Sequence, residues 1–126
     1  MPNISGSQYA EQVIGLAIEV HRELGPGLLE STYEACLAKE LELASIPFVR
    51  QVSLPVNYKG LQIDCAYRID LMIAGELLIE LKSVDQMLPI HEAQIITYLK
   101  LSKAKHGLLI NFNVRILKNG IKSFLH

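Results

Sequence analysis

With 126 residues, half of them hydrophobic, the chain can fill one core but not two, so a single domain over residues 1–126 is expected. A net charge of -1 excludes a globally basic protein that holds nucleic acid by charge alone, and no apolar stretch approaches the ~18 residues that span a bilayer. Cys36 and Cys65 are too few and too far apart for a zinc knuckle, an iron-sulfur cluster or a disulfide framework; buried free thiols in a reducing compartment are expected. The start, Met1-Pro2-Asn3-Ile4-Ser5-Gly6, lacks the basic residues and apolar run of a secretory leader, so the expected location is the cytoplasm, without a membrane partner. Charge is uneven along the chain. All 13 acidic residues lie at or before Glu92, whereas the segment from Ala93 to His126 holds six basic residues: Lys100, Lys103, Lys105, Arg115, Lys118 and Lys122.

From Ser7 to Leu24, Ile14, Ala17, Ile18, His21 and Leu24 recur at helical spacing, with Ser5 or Ser7 available as N-cap. Gly25-Pro26-Gly27 stops this helix. A second helix is expected from about Leu29 to Leu43, with Tyr33, Leu37 and Leu41 on one stripe and Ile46-Pro47 beyond its end. The period then changes: Val52, Leu54, Val56 and Tyr58 alternate with polar residues or proline, giving a strand that turns at Lys59-Gly60, with Pro55 favouring a sheet edge.

Strands over Leu61 to Ile73 and Leu77 to Val84 are joined by Ala74-Gly75-Glu76 as an antiparallel hairpin. A third helix, Ile90 to Ser102, precedes Gly107 to Phe112, an apolar run suited to a strand buried on both faces. The tail, Val114 to Leu117 and Ile121 to Phe124, reads as a final short hairpin. The order α-α-β-β-β-α-β plus a short β ending defines an α/β (α+β) fold, with a mixed central sheet of about four strands flanked by helices.

If Gly75 centres the second hairpin, Asp70 faces Glu80 and Arg68 faces Lys82, all four on one sheet face. Ile69, Leu71, Ile73, Leu77, Ile79 and Leu81 then form the opposite, apolar face. Like charges placed directly across a strand pair repel, so something must compensate. Lys82 and Arg68 could do part of this, and two converging carboxylates also suit a hard cation such as Mg²⁺ or Mn²⁺. Leu77-Leu78-Ile79 is apolar on both faces just before the charges begin, which argues against an ordinary solvent-facing strand.

Gln94 and Tyr98 share one face of the third helix, with His91 a turn earlier. Each also has a plain structural reading: a solvated amide, a core aromatic and a helix-start polar residue. Glu30, in the first turn of the second helix, is favoured there by the helix dipole whatever else it does.

Together these residues resemble a known family. Gly27-x-x-Glu30-x-x-Tyr33, Tyr67-Arg68-Ile69-Asp70, Ile79-Glu80-Leu81-Lys82 and His91-Glu92-Ala93-Gln94-x-x-x-Tyr98 are similar to the family named for its GxxExxY signature, assigned to the PD-(D/E)xK nuclease superfamily. The resemblance runs from about Ile14 to Ser123. It implies a four-stranded mixed sheet flanked by helices, with Asp70 and Glu80 as metal ligands helped by the Leu81 carbonyl and by Glu30, directly or through water. It also implies Lys82 beside the attacking water, and Gln94 and Tyr98 supporting the active site as in RecB-like nucleases. Ile69 stands where the nominal motif has proline, a departure that suits a strand.

The resulting expectation is an enzyme, an Mg²⁺- or Mn²⁺-dependent hydrolase of phosphodiester bonds acting on DNA in preference to RNA. A water bound to the metal is favoured over His91 as the source of the nucleophile. The first alternative is a catalytically weak nucleic-acid-binding or protein-interaction module on the same fold. A hydrolase of small phosphate esters would need a closed pocket. A core of this size offers little surface to grip a duplex, which leaves room for a homodimer.

Overall fold

The computed structural model describes residues 6–126. Two helices, α1 (Ala10–Leu24) and α2 (Glu30–Leu43), lead into three strands, β1 (Phe48–Tyr58), β2 (Leu61–Ile73) and β3 (Leu77–Lys82). Helix α3 (Pro89–Ser102), β4 (His106–Asn111), a short 3₁₀ turn (Leu117–Gly120) and β5 (Ile121–Leu125) follow. The strands form one mixed sheet in the order β1-β2-β3-β4-β5. Only β3 and β4 are parallel, because α3 carries the chain back between them.

Alternation along the central strands divides the interior in two. Leu77, Ile79 and Leu81 of β3, with Leu108 and Ile110 of β4, point toward α1 and α2 and pack with Val13, Ala17, Val20, Tyr33, Leu37 and Leu41. Leu78 and Leu109 point the other way, toward Ile95, Tyr98 and Leu99 of α3. Every residue of β4 is buried, as its apolar run implies. Gly107 lets α3 approach closely: a Cβ would stand 3.1 Å from Ile95 Cδ1 and 3.3 Å from Leu99 Cδ1, so those side chains would have to give by a few tenths of an ångström. Helix α3 therefore rests almost on the backbone of the sheet. Strand β1 is at the edge of the sheet, where Pro55 costs no ladder hydrogen bond to a further strand.

Several expectations are corrected. The buried stripe of α1 is Val13, Ala17, Val20 and His21, rotated from the expected one, and Leu24 is 40% exposed. Ala17 and His21 are common to both stripes; His21 Nε2 lies 2.8 Å from the Val114 carbonyl and its ring sits beside Phe112. Ser7 is not the N-cap residue; its Oγ accepts the Tyr9 N–H at 3.1 Å just before the helix, while Ser5 lies outside the described residues.

The tail is not a hairpin of its own. Val114 to Leu117 turn, and the single strand β5 pairs antiparallel with β4, bringing the sheet to five strands where about four were expected. Cys36 is free but half-buried, and the side chain of Cys65 lies outside the described ones. Among the described residues no helix is long and apolar enough to cross a membrane.

The GxxExxY segment has a local physical explanation. Gly27 adopts φ 96°, a conformation that costs a residue with a Cβ, and turns the chain from α1 into α2. Tyr33 closes that turn: its hydroxyl donates to the Gly25 carbonyl at 2.6 Å and accepts the Leu28 N–H at 3.1 Å. Its ring stacks on Phe112 with centroids 4.3 Å apart. The loop before Glu30 is thereby tied to the core. Tyr33→Phe keeps the stacking and loses both hydrogen bonds, so urea unfolding should show a loss of about 1–2 kcal/mol with an unchanged m-value.

Candidate metal centre

The β2–β3 ladder runs Ile73↔Leu77, Met72↔Leu78, Leu71↔Ile79, as a turn centred on Gly75 requires. It stops there. Where Asp70 and Glu80 would come next, side chains replace the ladder: the Asp70 N–H donates to Glu80 Oε1 at 3.1 Å, and the Leu81 N–H donates to Asp70 Oδ2 at 2.8 Å. Each carboxylate thus holds the backbone of the opposite strand, and the two strands separate around them. The β2–β3 pairing does not resume beyond this point, so the expected Arg68–Lys82 pair does not form; Lys82 lies opposite Asn111 of β4, and Arg68, exposed, lies opposite Ser53.

The expectation that Ile69 shares a face with Leu71 is also corrected. Ile69 packs in the cluster beneath α3 with Leu54 and Leu78, while Leu71 packs beneath α2. The neighbouring strand changes face at the same level, from Phe48 in the first cluster to Val52 and Leu54 in the second. Gln51 makes the change, with φ 53° in the interior of a strand. The other described non-glycine residues with positive φ (Ser45, Lys59, Ala74 and Lys103) lie in turns or at a helix end. A left-handed residue within a strand is strained, and such strain persists where surrounding contacts hold it.

Those contacts come from α2. Gln51 Nε2 donates to Glu34 Oε1 at 2.6 Å and lies 3.4 Å from Asp70 Oδ1, while Arg50 Nε donates to Glu34 Oε2 at 2.9 Å. Glu34 is buried, so its charge is matched by these two neighbours rather than by water. Neither Gln51 nor Glu34 was legible as part of a site. Glu34 follows Tyr33 on a helix rich in glutamates, and Gln51 looks like one polar residue of an alternating strand. The local signal that marks it, the positive φ of Gln51, is invisible in sequence.

Glu30 accepts the Ser83 N–H at 3.3 Å, and Ser83 Oγ donates to the Leu28 carbonyl at 2.6 Å, which pins the start of α2 to the end of β3. From α3, Tyr98 is buried and close enough to Glu80 and Asp70 to feel their charge. Burial first, and then these carboxylates, hold its hydroxyl protonated to higher pH than usual. Gln94 lies beside it and lines the same cleft. His91 is drawn away from the chemistry: its Nδ1 accepts the Leu88 N–H at 3.0 Å, capping its own helix.

Glu80 is only 5% exposed, and burial, reinforced by the charge of Asp70, pushes its pKa up to about 8. Burial also raises Asp70, against the opposing Leu81 N–H hydrogen bond, with the charges of Glu34 and Glu30 adding to the rise. Without a cation, a proton on Glu80 relieves the repulsion. Among the described residues no three His, Cys, Asp or Glu side chains are close enough to form a ready-made cage. The donor set nevertheless fits a hard divalent ion. Asp70 and Glu80 each have one oxygen anchored on a backbone N–H and a second directed to no backbone donor, and Mg²⁺ is commonly held by one or two carboxylates with water completing its shell.

Carboxylates and a lysine thus gather at the splayed end of two strands in a mixed sheet between helices. Residues 7–124 match the family model described as PD-(D/E)XK nuclease superfamily, and the chain belongs to that superfamily. Among solved structures it is similar to "Crystal structure of SSO0001", at 23% identity and a TM-score of 0.53 over 93% of this chain. That likeness concerns the fold, and this chain spans 58% of the SSO0001 chain. No curated protein matches.

Two measurements test the geometry. Folded Glu80 binds its proton more tightly than the unfolded chain, whose carboxyl has the model value of 4.5. In cation-free buffer the stability this contributes is complete below pH ~4.5 and is lost as pH rises to about 8, so the melting temperature should fall over that window, and Glu80→Gln should flatten the fall. Gln51→Gly relieves the left-handed strain and Gln51→Ala does not. The alanine variant should therefore be the less stable of the two by about 1 kcal/mol in urea unfolding.

Proposed function

We propose that this chain is a nuclease that uses a divalent cation, Mg²⁺ or Mn²⁺, to hydrolyse phosphodiester bonds in DNA. The observation that carries the reading is the pair of carboxylates, buried Glu80 and half-buried Asp70, at the point where β2 and β3 separate, each with one oxygen anchored on the backbone of the opposite strand and, on Asp70, the second within 3.4 Å of Gln51 Nε2. Superfamily membership supports nuclease chemistry, and Gly27-x-x-Glu30-x-x-Tyr33 supports placing the chain in the GxxExxY branch.

In this reading Asp70 and Glu80 are the principal ligands, with the Leu81 carbonyl and Glu30 completing the protein's share. The bound cation would neutralise phosphate charge and make a water nucleophilic near neutral pH. The chain's residues supply the rest. Gln51, braced by Glu34, holds Asp70 on its outer side. Lys82 puts a positive group beside Glu80, where it favours the ionised carboxylate, and would offset charge gathering on the phosphate as the attacking oxygen adds. Tyr98, kept protonated by its surroundings, can donate a hydrogen bond but does not serve as a base near neutral pH.

The second reading, a catalytically weak binding module, is favoured by the burial of Glu80, which lets a proton on that carboxyl relieve its repulsion with Asp70 without any ion. The two readings separate in one assay. The nuclease should melt higher in Mg²⁺ or Mn²⁺ near pH 8, Asp70→Ala should lose that gain, and Lys82→Ala should reduce DNA cleavage at least ~100-fold while it stays folded. A melting temperature indifferent to both ions, with no cleavage of single-stranded, duplex or branched DNA, would leave the binding module.

A further inference from the structure

We propose that the cleft between the β1–β2 hairpin and α3 is a subsite for one unpaired nucleobase, so that this protein works on single-stranded DNA. The inference rests on the nuclease reading above and deepens it. The cleft measures about 420 Å³, within the range of small-ligand sites, and is lined by Val56 and Tyr67 on the hairpin side and by Ile90, Gln94, Thr97 and Tyr98 on the helix side.

Three features select a base over other occupants. First, aromatic rings stand on both walls. The Tyr67 and Tyr98 centroids are 6.0 Å apart with planes tilted by 53°, so buried Tyr98 supports the ring of Tyr67, which is 46% exposed and lines the cleft. Second, the lining has no charged side chain, and its polar groups include the amide of Gln94, which both donates and accepts, as the edge of a nucleobase requires. Third, the cleft adjoins the carboxylates: Tyr98 is shared between them, lining the cleft while feeling the charges of Glu80 and Asp70. A nucleotide has the same layout, a flat apolar-faced base beside an anionic phosphate.

The surface is also costly to leave open. Tyr67 is 46% and Ile90 67% exposed at the walls of the cleft. In a duplex each base is stacked and paired, and extruding it costs a few kcal/mol, whereas a single strand offers its bases without that cost. The cleft therefore implies preference for unpaired DNA near the scissile bond.

Binding and cleavage test this separately. A short oligothymidylate carrying one 2-aminopurine is titrated with wild-type protein in the absence of metal, where nothing is cut. Stacking should quench its fluorescence; Tyr67→Ala should weaken binding about 10-fold and remove most of the quenching, and Tyr67→Phe should restore both. Because the Tyr67 side chain is half exposed, melting temperatures should confirm that all three proteins are folded. With Mg²⁺ added, the wild-type ratio of single-strand to duplex kcat/KM should exceed ~10 and should fall in Tyr67→Ala. Lys82-dependent cleavage without Tyr67-dependent quenching would overturn the base subsite and leave the nuclease reading standing. Tyr67-dependent quenching without cleavage would support the cleft and overturn the nuclease reading.

Discussion

The structure depends on a substitution made within its own sheet. At the level of Asp70 and Glu80 the hydrogen-bond ladder between β2 and β3 gives way to two side-chain bonds, Asp70 N–H to Glu80 and Leu81 N–H to Asp70. Backbone donors inside a protein must find acceptors, and here the carboxylates provide them. The strands can separate without orphaning these two N–H groups, and the opening creates the space in which a site can exist. Charged acceptors make the stronger hydrogen bonds, so the anchoring also fixes the orientation of the groups that would hold a cation.

Everything around the opening braces it. On the α2 side, Gln51 and Arg50 converge on buried Glu34, and Gln51 accepts a left-handed backbone to reach between Glu34 and Asp70. On the loop side, Tyr33 holds the chain before Glu30 and Ser83 receives it from the end of β3. The change of face in β1 and β2 at Gln51 and Asp70 has a further effect. Beyond it the hairpin lies over α3 instead of α2, which is how Tyr67 comes to oppose Tyr98. One local distortion thus positions both the carboxylates and the wall of the adjoining cleft.

Much of this was legible in sequence, for identifiable reasons. The order of elements followed from changes of hydrophobic period, and the strand β2, Leu61–Ile73, has the expected bounds because Gly60 and Gly75 punctuate it. The hairpin register followed from Gly75, and it is correct for the pairs nearest the turn. What failed was extrapolating that register: regular pleating puts Ile69 with Leu71 and Arg68 with Lys82, whereas the strands twist apart at Asp70. A pattern of alternation contains no information about where a ladder is replaced by side chains. The α1 stripe was right for Ala17 and His21, the latter held by the carbonyl of Val114 far along the chain, and failed where Val13 and Val20 are buried in place of Ile14, Ile18 and Leu24. The tail failed because Gly120, whose Cβ would collide with the Asn111 carbonyl oxygen, belongs to a 3₁₀ turn packed on β4 rather than to a hairpin tip.

The sequence also suggested that facing carboxylates demand a cation, and the environment of Glu80 refines that demand. Burial penalises the charged form of Glu80 before Asp70 adds its repulsion, so a proton is the competing solution near neutral pH. A cation must displace that proton, and its affinity must therefore rise with pH across the range in which Glu80 ionises. Lys82 and the Asp70 N–H lower the cost of ionisation, while Asp70 and Glu30 raise it. The pair is balanced between a state with one proton on Glu80 and a doubly charged one that a bound cation would stabilise. A more exposed pair would ionise freely and bind cations with less discrimination. Burial would make the doubly charged state conditional on a bound cation, and so would couple the charge of the proposed site to its occupancy.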